Sequence, residues 1–527
     1  MIKSLKSKTP FIAFAIITLV VVVLAAQSDQ QINWLGLALV LIFYLLIFGV
    51  GIWASKKEDK SKDNSFLLAG RRLPLWIAML TMAATWIGGG YINGTAEAAA
   101  GSGLLWVQAP WGYGLSLIIG GIFFARKMRR FRFNTMLDPL AQRFGTKMAA
   151  IFFLPAVCGE IFWIAAILTA LGTTFSVIIG LDISTAIVAS ALIGILYTVV
   201  GGLWSVAYTD VVQLLLLSVG LLLVMPFIIS ASGNISDIWI AYQLQFGHSA
   251  QLIPQPAVMG DHFWSWIDTG LLLVFGGIPW QVYFQRVLAA KNEKTAMWLS
   301  ISAGLICIII AIPAALIGMV GAVTDWSILG LAGPESYASV LPYVLRYLTP
   351  ALIAMIGLSA ISAAVMSSID SSMLSASTLA VINVYKPLFE PDLSAAKMRN
   401  ILRRSIVIIG LAATMLALSI ESVYALWFLC SDLVYCLLFP ALCCALFDPK
   451  ANRAGALCGF ILAFVLRFGG GDATLHLPIL LPYPMIEDGM VLFPFRTTAM
   501  VCGLLTIIIV SRITQHRYAA TPLKASA

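Results

Sequence analysis

The chain has 527 residues, of which 60% are hydrophobic and 11% charged, with a mean hydropathy of +0.95. That balance excludes the ordinary soluble protein of about three domains that the length alone suggests, and long apolar runs without alternation exclude a transmembrane β-barrel. A formal net charge of +8 invites a nucleic-acid partner, but the basic residues recur in alternate loops instead of gathering in one patch, so no nucleic-acid partner is expected.

Apolar runs of span length fall near 11–26, 34–54, 74–99, 103–125, 148–179, 182–203, 205–230, 264–284, 296–323, 347–384, 401–420, 423–447, 454–469 and 497–511. These runs, about fourteen in all, predict an all-α polytopic protein embedded in a lipid bilayer. Lys3, Lys6 and Lys8 precede the first run and Leu24-Ala25-Ala26-Gln27-Ser28 follows it. A signal peptide and a short first span share that pattern; we take it as a retained span. Of the 32 lysines and arginines, 26 lie in loops 56–72, 126–147, 286–294, 386–404, 450–453 and 512–524. Only Arg346, Arg467 and Arg496 lie in the opposite set of loops. Positive residues mark cytoplasmic loops, which puts the C-terminus in the cytoplasm of a plasma membrane or a bacterial inner membrane.

The run at 74–99 contains Thr85-Trp86-Ile87-Gly88-Gly89-Gly90-Tyr91-Ile92-Asn93-Gly94. Each glycine weakens a helix by about 1 kcal/mol relative to alanine, so three in a row predict a break. Backbone groups released there cost several kcal/mol each in hydrocarbon unless protein, water or an ion satisfies them. Secondary transporters build their sites from such broken helices. A second break is predicted at Gly276-Gly277-Ile278-Pro279-Trp280 in the run at 264–284. The charge asymmetry makes these two spans antiparallel, which predicts an inverted repeat of five plus five spans. The expected divisions are an N-terminal segment at 1–33, a peripheral span and loop at 34–73, a first repeat at 74–233 and an extracytoplasmic loop at 234–263. A second repeat at 264–449 follows, and 450–527 holds peripheral spans and a short tail.

Ionisable residues inside spans are functional candidates by default, and Glu97, Glu160, Asp210, Asp268, Asp370 and Asp432 all lie in or near apolar runs. Glu97, Glu160 and Asp432 read as structural, each satisfied by nearby hydroxyls or backbone. Asp370 sits in Ser367-Ser368-Ile369-Asp370-Ser371-Ser372 with Ser375 beyond. On a helix Ser367 and Ser371 share one face, and Ser368, Ser372 and Ser375 form a neighbouring stripe. Oxygens at that density suit a hard cation. Most of the 15 tryptophans belong to interfacial belts. Trp86 and Trp280 fall at the breaks instead, Trp163 follows Glu160 in mid-span, and Tyr113 lies in the next aromatic cluster. Converging π-faces suit a quaternary ammonium, which lacks N–H donors; each face contributes roughly 0.5–2 kcal/mol. The eight cysteines lie in apolar runs and the four histidines show no ligand spacing. A phosphate-cradling loop is absent, and with no catalytic constellation the chain is not expected to be an enzyme or to hold a cofactor or metal beyond a coupling ion.

With these residues in place, the chain resembles the sodium/solute symporter family in its choline-carrier branch. The strings that carry the likeness are ATWIGGGYINGTAEA at 84–98, TMLDP at 135–139, GEIFW at 159–163, YTVVGGLWSVAYTDVVQL at 197–214, GGIPWQVYFQRV at 276–287, SAAVMSSIDSSMLSAS at 362–377 and SDLVY at 431–435. The resemblance implies a LeuT-like fold, sodium as the coupling ion and chloride as a further ion. It implies a sodium site made of the carbonyls of Ala84, Ile87 and Ala364 and the hydroxyls of Ser367 and Ser368. Asp210, Ser367 and Ser371 match a second cation position of some relatives, where Asp370 replaces a serine and either binds a second cation or balances substrate charge. The implied choline cage is Trp86, Tyr113, Trp163 and Trp280. Rival expectations are a sodium symporter for proline or betaine, and a membrane sensor of the same fold.

Overall fold

The structure is a computed structural model that describes residues 19, 22–23, 32–55, 68–200, 203–420 and 422–525. Apart from Leu19, Val22 and Val23, the run at 11–26 lies outside the described residues, as does most of loop 56–72. Every other expected span falls on helix. α1 (Trp34–Ser55) leads into a bent pair, α2 (Leu75–Trp86) and α3 (Gly89–Gly101), which meet at 48°. α4 (Ala109–Ile119) continues through a wider π-turn to Arg130, and α5 (Thr146–Ile179), α6 (Ile183–Val200) and α7 (Leu203–Ala231) complete the first set. α8 (His262–Gly276) and α9 (Gln281–Ala289) are the second interrupted span. α10 (Glu293–Val323), α11 (Ala351–Leu379), α12 (Ala395–Ala417) and α13 (Val423–Leu433, extended to Phe447) follow, then α14 (Arg453–Gly469) and α15 (Phe495–Ile513).

Local chemistry fixes the boundaries. Side chains of Asn292, Ser394, Ser422 and Asn452 accept hydrogen bonds from backbone N–H groups in the first turns of α10, α12, α13 and α14, which satisfies donors a helix start leaves open. Pro155, Pro226 and Pro313 sit inside α5, α7 and α10, as membrane helices tolerate when neighbours re-satisfy the backbone. The exception to an all-helical architecture among the described residues is a two-stranded hairpin, β1 (Ile486–Glu487) with β2 (Met490–Val491), in the loop before α15.

α2/α3 to α7 and α8/α9 to α13 are two sets of five, each opened by a broken helix, as the inverted repeat requires. The sets interleave: α10 packs on α2, α3 and α4, α11 on α5 and α7, and α13 on α3 and α5. α1 lies against α7 and α11, while α14 and α15 pair with each other at the periphery. The two breaks face one another inside this double bundle. The basic loops define one end of the bundle, and Arg467 and Arg496 lie at the opposite end.

Candidate functional site

α2 ends at Trp86. Ile87 and Gly88 leave helical geometry at φ/ψ of −86°/62° and −97°/−169° before α3 begins. Glycine is required here by proximity. A Cβ on Gly88 would lie 2.0 Å from Ser368 Oγ, and one on Gly89 would lie 2.6 Å from a Val365 methyl. That close approach brings α11 hydroxyls onto the carbonyls freed by the break. Ser367 Oγ donates to the Ala84 carbonyl at 3.1 Å, and Ser368 Oγ to the Thr85 carbonyl at 2.9 Å. The structure thus gathers Ala84, Ile87, Ser367 and Ser368 at one buried spot, with Ala364 one turn earlier on α11.

At the second break, Gly277 approaches Ser116 so closely that a Cβ would lie 2.4 Å from its hydroxyl, and Gly276 does the same with the Ser431 carbonyl at 2.6 Å. Trp280 ends the irregular stretch, and its indole N–H donates to the Gly276 carbonyl at 2.7 Å. Its ring meets those of Trp86 (6.1 Å between centroids) and Trp163 (5.7 Å). Trp86 in turn lies 5.0 Å from Tyr113 and 5.6 Å from Trp163. The four expected aromatic residues form one buried cluster, each no more than 2% exposed.

A fifth ring, Trp427 of α13, stacks on Tyr113 at 5.2 Å and reaches Trp163 at 6.2 Å. Sequence reasoning missed it, because a tryptophan close to the start of a span reads as an interfacial residue. Its one signal was the SDLVY string four residues later, whose Ser431 bonds the Tyr113 hydroxyl. The indole N–H groups of Trp86, Trp163 and Trp427 have no hydrogen-bond partner. Centroids this close mean that the rings touch. A quaternary ammonium keeps each face within about 6 Å of its charge, so the rings must part to admit one.

The charged groups divide sharply. Glu97 accepts from the Ser422 hydroxyl at 2.6 Å and the Tyr424 N–H at 3.0 Å. Asp432 accepts from Arg467 at 2.6 Å and Arg496 at 3.0 Å, and Asp268 from the Thr497 hydroxyl and N–H at 2.6 and 2.7 Å. These carboxylates tie helices together. Glu160 is 1% exposed; the Ser375 hydroxyl and the Val282 backbone face its carboxylate, but neither oxygen completes a well-formed hydrogen bond.

Asp210 receives Thr81 Oγ1 at 2.5 Å and a guanidinium nitrogen of Arg286 at 3.4 Å, and the same nitrogen bonds Ser371. Arg286 was expected in a basic loop. It is instead on α9 and wholly buried, because α9 continues the second broken span inward for two more turns. Its fixed positive charge stands between Asp210 and Ser371, where the resemblance implies a second cation. Asp370 is fully buried beside this pair, with both oxygens unpartnered.

A cavity of about 680 Å³ adjoins the cluster at the end away from the basic loops, lined by Glu97, Trp106, Tyr337, Tyr424 and Arg496. Tyr424 touches Trp427 at 6.1 Å. A second cavity of about 740 Å³, bordered by Ser230, Asp325 and Thr349, includes none of these residues.

The sequence pattern of the sodium:solute symporter family matches residues 66–463. The chain is 46% identical over 508 residues to a high-affinity choline transporter 1 of Drosophila melanogaster, covering 94% of this chain and 81% of that one. It is 45% identical over 501 residues to its Homo sapiens counterpart, covering 92% and 86%. In fold it is similar to a solved Na+-coupled sialic acid symporter in a substrate-bound outward-open state, with a TM-score of 0.76 at 21% identity over 94% of this chain and all of that one. With the interleaved repeats and paired breaks, these likenesses make the protein a multi-pass membrane transporter of LeuT-like fold, and the chain belongs to the sodium:solute symporter family.

Proposed function

We propose that this protein imports choline, or a close quaternary ammonium, by sodium-coupled symport with alternating access. The observation that carries the reading is the box of Trp86, Tyr113, Trp163, Trp280 and Trp427 assembled where both broken helices meet. A trimethylammonium group offers no donor to a hydrogen-bonding site, so a diffuse cation is held by ring quadrupoles. The unpartnered indole N–H groups supply donors for the one polar atom choline carries, its hydroxyl oxygen. Relatives named as choline transporters at 45–46% identity support the same substrate.

Sodium occupies the spot formed by the carbonyls of Ala84, Ile87 and Ala364 and the hydroxyls of Ser367 and Ser368 in this reading. It lies directly behind the Trp86 break, so binding the ion fixes the helix that carries one wall of the box. Asp210 serves in charge balance as the counter-ion of Arg286. The two repeats at 74–233 and 264–449 rock against each other, with 34–73 and 450–527 peripheral. The basic end, with the C-terminus, faces the cytoplasm of a plasma or bacterial inner membrane. Chloride is carried over from the resemblance alone, and uptake in chloride-free medium checks it. The test of the whole is uptake of labelled choline into proteoliposomes: an inward sodium gradient should drive accumulation, and uptake indifferent to sodium would overturn the reading.

A further inference from the structure

Asp210, Asp370 and Glu160 are all within 1% of complete burial, and Arg286 is the one cation among them. Three carboxylates against one guanidinium leave negative charge uncompensated, and Arg286 is already committed to Asp210 and Ser371. In a low-dielectric interior, charge left that way draws in a cation or a proton. Glu160 shows where. It lies one turn below Trp163 on α5, on the side of the aromatic box facing the basic end. Facing its carboxylate are the Ser375 hydroxyl, the Val282 backbone and, farther off, Arg286. The Ser375 hydroxyl stands against the Glu160 carboxylate without completing a well-formed hydrogen bond, the Ser372 hydroxyl has no partner, and all three residues are buried.

Ser368, Ser372 and Ser375 form one stripe on α11. Ser368 stands at the first break against the Thr85 carbonyl, and Ser375 lies about 10 Å farther toward the basic end at 1.5 Å rise per residue. The stripe is a ladder of oxygens that starts at the sodium spot and ends at Glu160. We propose that the Glu160 carboxylate, with the Ser372 and Ser375 hydroxyls, forms a second binding site for a monovalent hard cation on the cytoplasmic side of the box, which sodium occupies as it leaves the first site. Oxygen donors and one full negative charge suit sodium. The site differs from the Asp210–Ser371 position in its acid, its helix face and its freedom from Arg286's hydrogen bonds. It rests on the sodium-coupled reading above.

Internal sodium, which rebinds from the cytoplasmic side, reads this site. In proteoliposomes loaded with graded internal sodium at fixed external sodium, labelled choline uptake by the wild type should be inhibited, and uptake indifferent to internal sodium would overturn the site. Glu160→Gln should raise the internal sodium needed for half inhibition by about tenfold and Ser375→Ala by about threefold, as expected for losing a charged and a neutral ligand. External sodium for half-maximal uptake should move less than about twofold in both. Unchanged internal inhibition in Glu160→Gln would mean a neutral, protonated carboxyl and would overturn the site. If Glu160→Gln fails to fold, Ser375→Ala decides alone: wild-type inhibition in it overturns the site equally. Wild-type uptake that ignores sodium altogether would fail earlier and would overturn the functional reading itself.

Discussion

At the end of the bundle away from the basic loops, Asp432 receives two arginines and Asp268 receives Thr497 and Arg496. Toward the basic end, Asp210 shares one arginine, while Asp370 and Glu160 bond no cation and have only neutral groups of Ser371, Ser375 and Val282 beside them. Both sets are buried to the same degree, so burial does not separate them; compensation does. A buried carboxylate with its partners in place is a fastener. One held without a compensating cation is costly while it is ionised, and inside a membrane such groups mark ion or proton paths.

The contrast breaks if the two sets respond alike to neutralisation. Asp432→Asn strips Arg467 and Arg496 of their shared counter-ion. Breaking a buried pair costs about 3–5 kcal/mol, and thermal unfolding of the purified protein should show it, with sodium dependence unchanged in the molecules that remain folded. Asp370→Asn should do the reverse. It removes an unpartnered charge, so the unfolding temperature should hold or rise, whereas choline uptake should fall more than about tenfold at the low local dielectric. A loss of stability in Asp370→Asn matching that in Asp432→Asn would abolish the distinction.

Two smaller effects sharpen it around the box. Trp280→Leu keeps bulk but loses a π-face and should weaken choline binding by about 2- to 30-fold, with Trp280→Phe weakening it less. Competition of labelled uptake by unlabelled choline measures both, and equal losses would remove the cation–π argument. Ser368→Ala removes one hydroxyl from the sodium spot and should raise the sodium needed for half-maximal uptake by about threefold. The helix should persist, because alanine is the better helix former. An unchanged sodium requirement would take Ser368 out of the site.

The breaks were legible because their cause is local: Gly88–Gly90 and Gly276–Pro279 weaken a helix whatever surrounds them, and both helices end where those residues begin. The stripe of α11 serines was legible for the same reason, since helical period fixes which of them share a face. Arg286 was not. It follows Gln281–Gln285 and leads toward Lys291 and Lys294, which locally reads as the edge of a basic loop. Its burial depends on Asp210, 76 residues earlier, and Ser371, 85 residues later. Trp427 was hidden likewise, because only the stack on Tyr113, more than 300 residues away, separates it from an interfacial tryptophan. Pairings between distant helices carry no periodic trace in either partner's own sequence.

Neutral rings recognise choline here through its positive charge, and the most direct test isolates that charge. The uncharged isostere of choline, with carbon in place of nitrogen, has nearly the same shape, volume and hydroxyl. Competition of labelled choline uptake by this compound should need more than about tenfold the concentration that unlabelled choline needs, because several faces at roughly 0.5–2 kcal/mol each lose the cation they attract. If the isostere competes as well as choline, the box recognises shape alone and the cation–π account is contradicted.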